Sequence, residues 1–353
     1  MSRPSSEILY HQPALVAPKK GVAFAASNLS PRLDSFRIAL SPGRRPPDRQ
    51  RTTAMKFAFI GVGNMGNLMA LNLMKAGHSL HVHDIRRDAA KQLEEAGAAW
   101  ANSPRDAASG VEAAFLSLPM PADVERVVLA DNGLLASLQS GRTIIDMSTN
   151  SPTVVRSLAV KAKERGVTFL DAPVSGGVRG ARNATLAIMV GGNKAAYDKY
   201  EPVLKAIGTN VFHCGDIGAG NVVKLVNNMQ AFIQMMGAAE AIVLGASAGV
   251  DPNILWKAVK ASSGASFTWE FGTRAILRDR LAPTFTVDLA SKDMSLATAL
   301  AKEYGVPLKM GSAAEDLIRH YQAIGYARED VLATVKELEK QTGKVVRGTW
   351  KES

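Results

Sequence analysis

The stretch Lys56-Phe-Ala-Phe-Ile-Gly-Val-Gly-Asn-Met-Gly66 decides the fold. Its first half is apolar and β-favouring. Its second half places glycine at 61, 63 and 66, and the following NLMALNLMKAGH has helical spacing closed by Gly77. Each glycine serves a different need, with a tight turn at Gly61, backbone access to a pyrophosphate at Gly63, and close helix-to-strand packing at Gly66. Asn64 and Met65 open the helix, whose free N–H groups and positive dipole end favour phosphate. A second strand, Leu80–His83, leads to Asp84, where a carboxylate reads the ribose hydroxyls of a dinucleotide. Asp84 repels a 2′-phosphate and so favours NAD. Arg86 and Arg87 follow closely enough to receive that phosphate, which keeps NADP possible, or to form an exposed turn before a helix Asp88–Ala96.

The alternation continues outward. Ala113–Leu118 reads as a strand ending at Pro119, and Arg142–Met147 as another ending at Ser148-Thr149. Repeated βα units imply a parallel sheet whose ligands lie at the carboxyl ends of its strands, making Leu118, Pro119 and Thr149 candidate cofactor neighbours. Thr149 is equally placed for a helix cap, although Ser151-Pro152 supplies one. The segment from Thr168 runs into a loop with Ser175, Gly176 and Gly177. Consecutive N–H groups there form a cradle for a carboxylate, or simply a glycine turn. Strands Thr185–Val190 and Asn210–Cys214 bracket a helix Lys194–Ile207 and extend the sheet. Beyond Gly218 the pattern is helical: Asn221 to about Gly249, Pro252–Ala261, Lys292–Tyr304, Met310–Ile324 and Arg328–Gln341. The expected fold is an α/β Rossmann-type dinucleotide-binding domain over 55–217 followed by an all-α domain over 218–345, after a disordered basic extension over 1–54.

That extension changes the meaning of the net charge. Of the formal +10, residues 1–54 carry +6, so the basicity belongs to a Ser-, Pro- and Arg-rich leader and not to a nucleic-acid-binding face. The leader resembles an organellar transit peptide, which would make the protein mitochondrial. Pro42, Pro46 and Pro47 oppose an amphipathic helix there, and Met55 offers a start one residue before the first strand, which leaves a cytoplasmic location expected. The lone Cys214 and six scattered histidines predict no metal. No window reaches ~18 uninterrupted apolar residues, so no membrane span is expected.

Within Val222-Val-Lys-Leu-Val-Asn-Asn-Met229, Lys224, Asn227 and Asn228 share one face of an otherwise apolar helix. Such a cluster serves packing or a snorkelling lysine. Alternatively, burial and the helix dipole lower the lysine pKa until it exchanges protons near neutrality.

Five segments in order, FIGVGNMGNLMALNL, DMSTNSPT, DAPVSGG, GAGNVVKLVNNM and LASKDMSLA, resemble the β-hydroxyacid dehydrogenase family, whose members include 3-hydroxyisobutyrate dehydrogenase and tartronate semialdehyde reductase. The resemblance covers Met55 to about Gln341. It implies an NAD(P)-dependent oxidoreductase of a small 3-hydroxy acid with catalytic Lys224 and substrate-binding Asn228. It further implies a substrate-carboxylate loop at Ser175, Gly176 and Gly177, Thr149 near the nicotinamide, and Lys292 closing over the site from the second domain. Asn227 is left to helix packing, and Lys292 has a competing reading as an exposed partner of Asp293 at a helix start. Phe267 and Trp269 either wall the pocket or pack the core. The family packs its second-domain helices between subunits, which implies a homodimer or homotetramer. Two other readings are an imine reductase-like enzyme and a non-catalytic nucleotide- or nucleic-acid-binding relative. Both usually lack a lysine at position 224.

Overall fold

On β1 (Lys56–Ile60), Phe57 and Phe59 face one side, Ala58 and Ile60 the other, and all four are buried. A strand apolar on both faces must lie inside a sheet covered on both sides. The structure, a computed structural model, describes residues 53–348; the leader expectation therefore falls almost wholly outside the described residues. The chain alternates β1, α1 (Asn64–Lys75), β2 (Ser79–His83), α2 (Lys91–Glu95), β3 (Ala99–Trp100), α3 (Pro104–Ala107), β4 (Ala113–Leu116), α4 (Pro121–Leu129), β5 (Thr143–Asp146), α5 (Pro152–Glu164) and β6 (Thr168–Asp171). Then come β7 (Val174–Ser175), α6 (Gly177–Asn183), β8 (Ala187–Gly191), α7 (Lys194–Leu204) and β9 (Asn210–Gly215).

Among the described residues, one sheet runs in the order β3-β2-β1-β4-β5-β6-β8-β7, with β9 pairing β8. Strands β1 to β6 are parallel. The chain reverses at β8, which is antiparallel to β6 and β7 and parallel to β9, a change of direction the βα alternation did not signal. Helices α1, α6 and α7 cover one face with Met69, Leu73, Ala181 and Tyr200; α3, α4 and α5 cover the other with Ala107, Val124, Val155 and Leu158. Strand order reverses between β1 and β4, and the parallel strands all end on one edge there. Such an edge is where doubly wound sheets bind ligands.

The rest of the described chain is helical: α8 (Ala219–Ser247), α9 (Pro252–Lys260), a π-helical turn Thr268–Thr273, α10 (Arg274–Leu277), α11 (Val287–Glu303), α12 (Lys309–Tyr321) and α13 (Val335–Thr342). Phe232 and Met236 of α8 pack with Met294 of α11 and Ile318 of α12. Ala239 and Ile242 of α8 pack with Trp256, Trp269 and Val335. Helix α8 is long and apolar enough to cross a membrane by length and composition, which qualifies the sequence expectation; it packs against β8, α11, α12 and α13 and leaves Val226 and Leu244 exposed.

Besides the expected helices Asp88–Ala96, found as a 3₁₀ turn Arg87–Ala90 followed by α2, and Lys194–Ile207, found ending at Leu204, three helices of this later part differ from the sequence reading. Helix α11 starts at Val287, five residues before Lys292, because Thr286 caps it by accepting from the Leu289 N–H and the Asp330 carboxylate holds the preceding turn through Thr284 and Phe285. Lys292 thus lies in the second turn and not at a helix start. Helix α12 gives way after Tyr321 to a π-helical turn, Gln322–Tyr326, broken inside at Gly325, where φ is 106°. The helix expected from Arg328 divides into a 3₁₀ turn Val331–Thr334 and the shorter α13.

Candidate active site

The glycine turn is built for close approach. Gly61 has φ of +86°, and a Cβ there would meet the Ser117 carbonyl; a Cβ at Gly66 would run into the Gly61 carbonyl. Helix α1 has no side-chain cap at Gly63 and no acid in its first turn, so its N-terminal N–H groups are left for a ligand. Asn64 is exposed there, and Met65 leans on the core. Asp84 is braced at both oxygens: Oδ2 accepts from the Val62 N–H at 2.8 Å and Oδ1 from the Arg86 N–H at 2.9 Å. Leu118 donates its N–H to Ser148 Oγ at 2.9 Å, tying the β4 end to the β5 end, while Pro119 is exposed. These features fit a dinucleotide: a cradle a side chain would fill, uncapped amides, and a fixed acceptor at the second strand.

Beneath the β5 and β6 ends lies a buried polar network that sequence reasoning missed. Asp146 and Asp171 are register partners, both fully buried. Asp146 accepts from the Ser148 N–H at 3.0 Å and Asn150 Nδ2 at 3.2 Å. The Asn150 N–H donates to Asn221 Oδ1 at 2.7 Å. Asn221 in turn donates its N–H to Asp171 Oδ2 at 2.7 Å and its Nδ2 to the same oxygen at 3.3 Å, and Asp171 Oδ1 accepts from the Gly218 N–H at 2.7 Å. Asp171 therefore caps α8 from another strand. Burial raises both carboxyl pKa values, Asp146 to about 6, and their mutual repulsion acts the same way on Asp146, against the hydrogen bonds from Ser148 and Asn150. Gly220 packs so closely that a Cβ would strike the Met189 carbonyl of β8. The start of α8 is thus fixed in two directions. The anticipated Ser151 cap is absent: its side chain makes no capping bond, and its N–H donates to Asn150 Oδ1 instead.

One turn and a half into α8, Lys224 is 7% exposed, and its Nζ forms no hydrogen bond or ion pair among the described residues. Burial lowers its pKa to about 8; the nearby Asp293 carboxylate opposes that shift and the Lys292 ammonium adds to it. Asn228, one turn on and also buried, donates Nδ2 to Asp293 Oδ2 at 2.5 Å and accepts from Asn227 Nδ2 at 3.0 Å. Lys292 pairs with Asp293 Oδ1 at 2.8 Å and donates to the Thr149 carbonyl at 3.2 Å. It is only 12% exposed, so the expectation of an exposed lysine is corrected: α11 turns it inward, across to the β5 end. Its outer side borders a cavity of about 600 Å³ lined by Met120, Pro121, Asp288, Ser291 and Ser295. The structure therefore brings Lys224, Asn228, Lys292 and Thr149 into one cluster around Asp293, a residue sequence reading treated only as a partner for Lys292.

Ser175 ends the short β7, paired with Ala187 of β8. Gly176 and Gly177 follow at φ of 126° and 59°, exposed and opening α6 without a side-chain cap. Of the two aromatic candidates, Trp269 is core, its Nε1 donating to the Trp256 carbonyl at 3.1 Å, while Phe267 is 77% exposed. No group of metal-ligating side chains occurs among the described residues.

Comparison with known proteins shows the family. Residues 56–215 match the NAD binding domain of 6-phosphogluconate dehydrogenase, and residues 218–338 match a domain described as NAD-binding of NADP-dependent 3-hydroxyisobutyrate dehydrogenase. The 2-(hydroxymethyl)glutarate dehydrogenase of Eubacterium barkeri is 38% identical over 84% of this chain and 98% of its own. The 3-hydroxyisobutyrate dehydrogenase of Pseudomonas aeruginosa is 41% identical over 75% of this chain and 92% of its own. Among solved structures, the 3-hydroxyisobutyrate dehydrogenase of Mycobacterium tuberculosis with L-serine superposes with a TM-score of 0.74 at 32% identity, covering 81% of this chain and 99% of that one. The chain belongs to the β-hydroxyacid dehydrogenase family and is an NAD(P)-dependent oxidoreductase.

Proposed function

We propose that the protein interconverts a small 3-hydroxy acid of the 3-hydroxyisobutyrate type and its semialdehyde, with Lys224 exchanging the hydroxyl proton. The observation that carries this reading is a buried, unpaired lysine held at about 8, one helical turn from a buried asparagine amide. A lysine in that range gives and takes a proton near neutral pH, which an ordinary ammonium does not. Gly61, Gly63, Gly66, the α1 amides and Asp84 would hold the cofactor, and a bound nicotinamide supplies the hydride acceptor. The chain's own residues do the rest. The amides at Ser175, Gly176 and Gly177 dock the substrate carboxylate, Asn228 orients the alcohol, and Lys224 takes its proton as the C–H bond is broken. Asp293 holds Asn228 and Lys292 in place.

Purified protein assayed with 3-hydroxyisobutyrate, L-serine, D-glycerate and 4-hydroxybutyrate, each with NAD and NADP, should turn over at least one. Failure on all four would sink the substrate reading. Lys224→Ala should abolish turnover while leaving NADH binding intact, and near-normal turnover would overturn the role of Lys224. With the lysine as base, oxidation should rise with pH to a plateau above about 8, and reduction should fall over the same range.

We also propose a homodimer or homotetramer, on the strength of the exposed apolar side chains Val226 and Leu244 of α8 and Phe267. A monomer in light scattering across micromolar concentrations would refute it.

A further inference from the structure

The turn after β2 offers a dinucleotide three charged side chains, Asp84, Arg86 and Arg87, and the structure treats the two arginines differently. Both ends of the Arg87 guanidinium are engaged by the Glu94 carboxylate, Nη1 with Oε2 and Nη2 with Oε1, the latter at 2.7 Å. Its Cζ lies over the Trp100 ring, 4.3 Å from the centroid. Trp100 is itself held: Nε1 donates to Asn102 Oδ1 at 3.0 Å, and the His83 ring, bonded to the Ala101 carbonyl at 2.9 Å, packs against it. A single exposed ion pair is worth little. Here the planar fork is matched bidentately and stacked on an aromatic face, the arrangement that leaves an arginine least free for another anion. Arg86 makes no ion pair among the described residues, and its Nη2 lies 3.8 Å from where a Cβ on Gly63 would stand, beside the glycine that admits the pyrophosphate.

We propose that Glu94 and Trp100 withhold Arg87 from the adenosine ribose, so that the ribose meets the braced Asp84 carboxylate with one of the two phosphate-receiving cations removed and the protein selects NAD over NADP. Glu94 and Trp100 are specificity-determining residues that act through Arg87 and touch no cofactor themselves. The inference rests only on dinucleotide binding, not on the hydroxy acid, so its test uses binding without substrate.

NADH and NADPH are titrated by fluorescence against the wild type, Glu94→Ala, Arg87→Ala and the double variant. The wild type should favour NADH by about tenfold, the scale of one carboxylate–phosphate repulsion near a protein surface. Glu94→Ala should tighten NADPH binding about fivefold, the scale of one exposed charge-assisted contact, and leave NADH unchanged. That gain should shrink at 0.5 M salt and vanish in the double variant. Arg87→Ala alone should leave both affinities near those of the wild type. Glu94→Gln, which keeps one acceptor for the guanidinium, should fall between, and it serves if the alanine variant does not fold. The proposal is overturned if the wild type binds NADPH as tightly as NADH, if neither Glu94 variant tightens NADPH binding, or if Arg87→Ala alone weakens NADPH binding.

Discussion

Replacing Lys224 by Met should make the protein more stable and inactive at once. The ammonium is buried without a paired oxygen, and its pKa of about 8 stands well below the ordinary 10.5. At about 1.4 kcal/mol per pH unit, that difference costs the folded state about 3 kcal/mol wherever both states carry the proton. The sign follows from the depressed value. Below pH 8 both states hold the proton and the cost is fully present; between 8 and 10.5 the folded state has released it and the unfolded chain has not, so stability rises with pH. Methionine fills similar space with no charge to desolvate, and Asp293 keeps Lys292 and Asn228 as partners. Denaturant unfolding of both proteins at pH 7, 8, 9 and 10, at one protomer concentration, should show Lys224→Met ahead by about 3 kcal/mol at pH 7. The gap should close by about 1.4 kcal/mol per pH unit above 8. A gap that stays constant from pH 7 to 10, or a variant less stable than the wild type at pH 7, would show that Lys224 is not the strained, proton-releasing group described.

Two further substitutions probe its surroundings. Asp171→Asn turns an acceptor of three N–H groups into a group that presents a donor to them, and should cost about 2 to 3 kcal/mol in unfolding experiments at pH 7 while lowering turnover more than it weakens NADH binding. Asp293→Asn removes the one nearby charge that favours the Lys224 ammonium, so the pH profile of alcohol oxidation should move to lower pH; a move to higher pH would contradict the assigned electrostatics.

What the sequence made legible was short-range. The turn at Gly61, Gly63 and Gly66, the acid at Asp84 and the shared face of Lys224 and Asn228 are all set by spacings of a few residues or by one βα unit. The buried network was not legible, because its bonds join residues far apart: Asn150 to Asn221, Asp171 to Asn221, Asn228 to Asp293. Nothing local marks Asp146 or Asp171 as different from any acid at a strand end. The inward turn of Lys292 was hidden for a related reason. Thr286 and the Asp330-held turn start α11 earlier than its apolar pattern suggests, which rotates Lys292 to face the β5 end. Arg86 and Arg87 look interchangeable along the chain. Only Glu94, seven positions on, and Trp100, on the next strand, separate them.

The network around Asn221 also bears on recombination between relatives. A natural place to exchange halves is the short gap between β9 and α8, where the two matched domains meet. Yet Asn150 and Asp171 lie before that gap, Gly218 at its last position and Asn221 after it, and their hydrogen bonds cross it. A chimera cut there inherits a functional joint only when both parents place these four groups alike. Moving the crossover past Asn221, so that one parent supplies the whole joint, keeps the start of α8 in its native setting and leaves the later helices free to be traded.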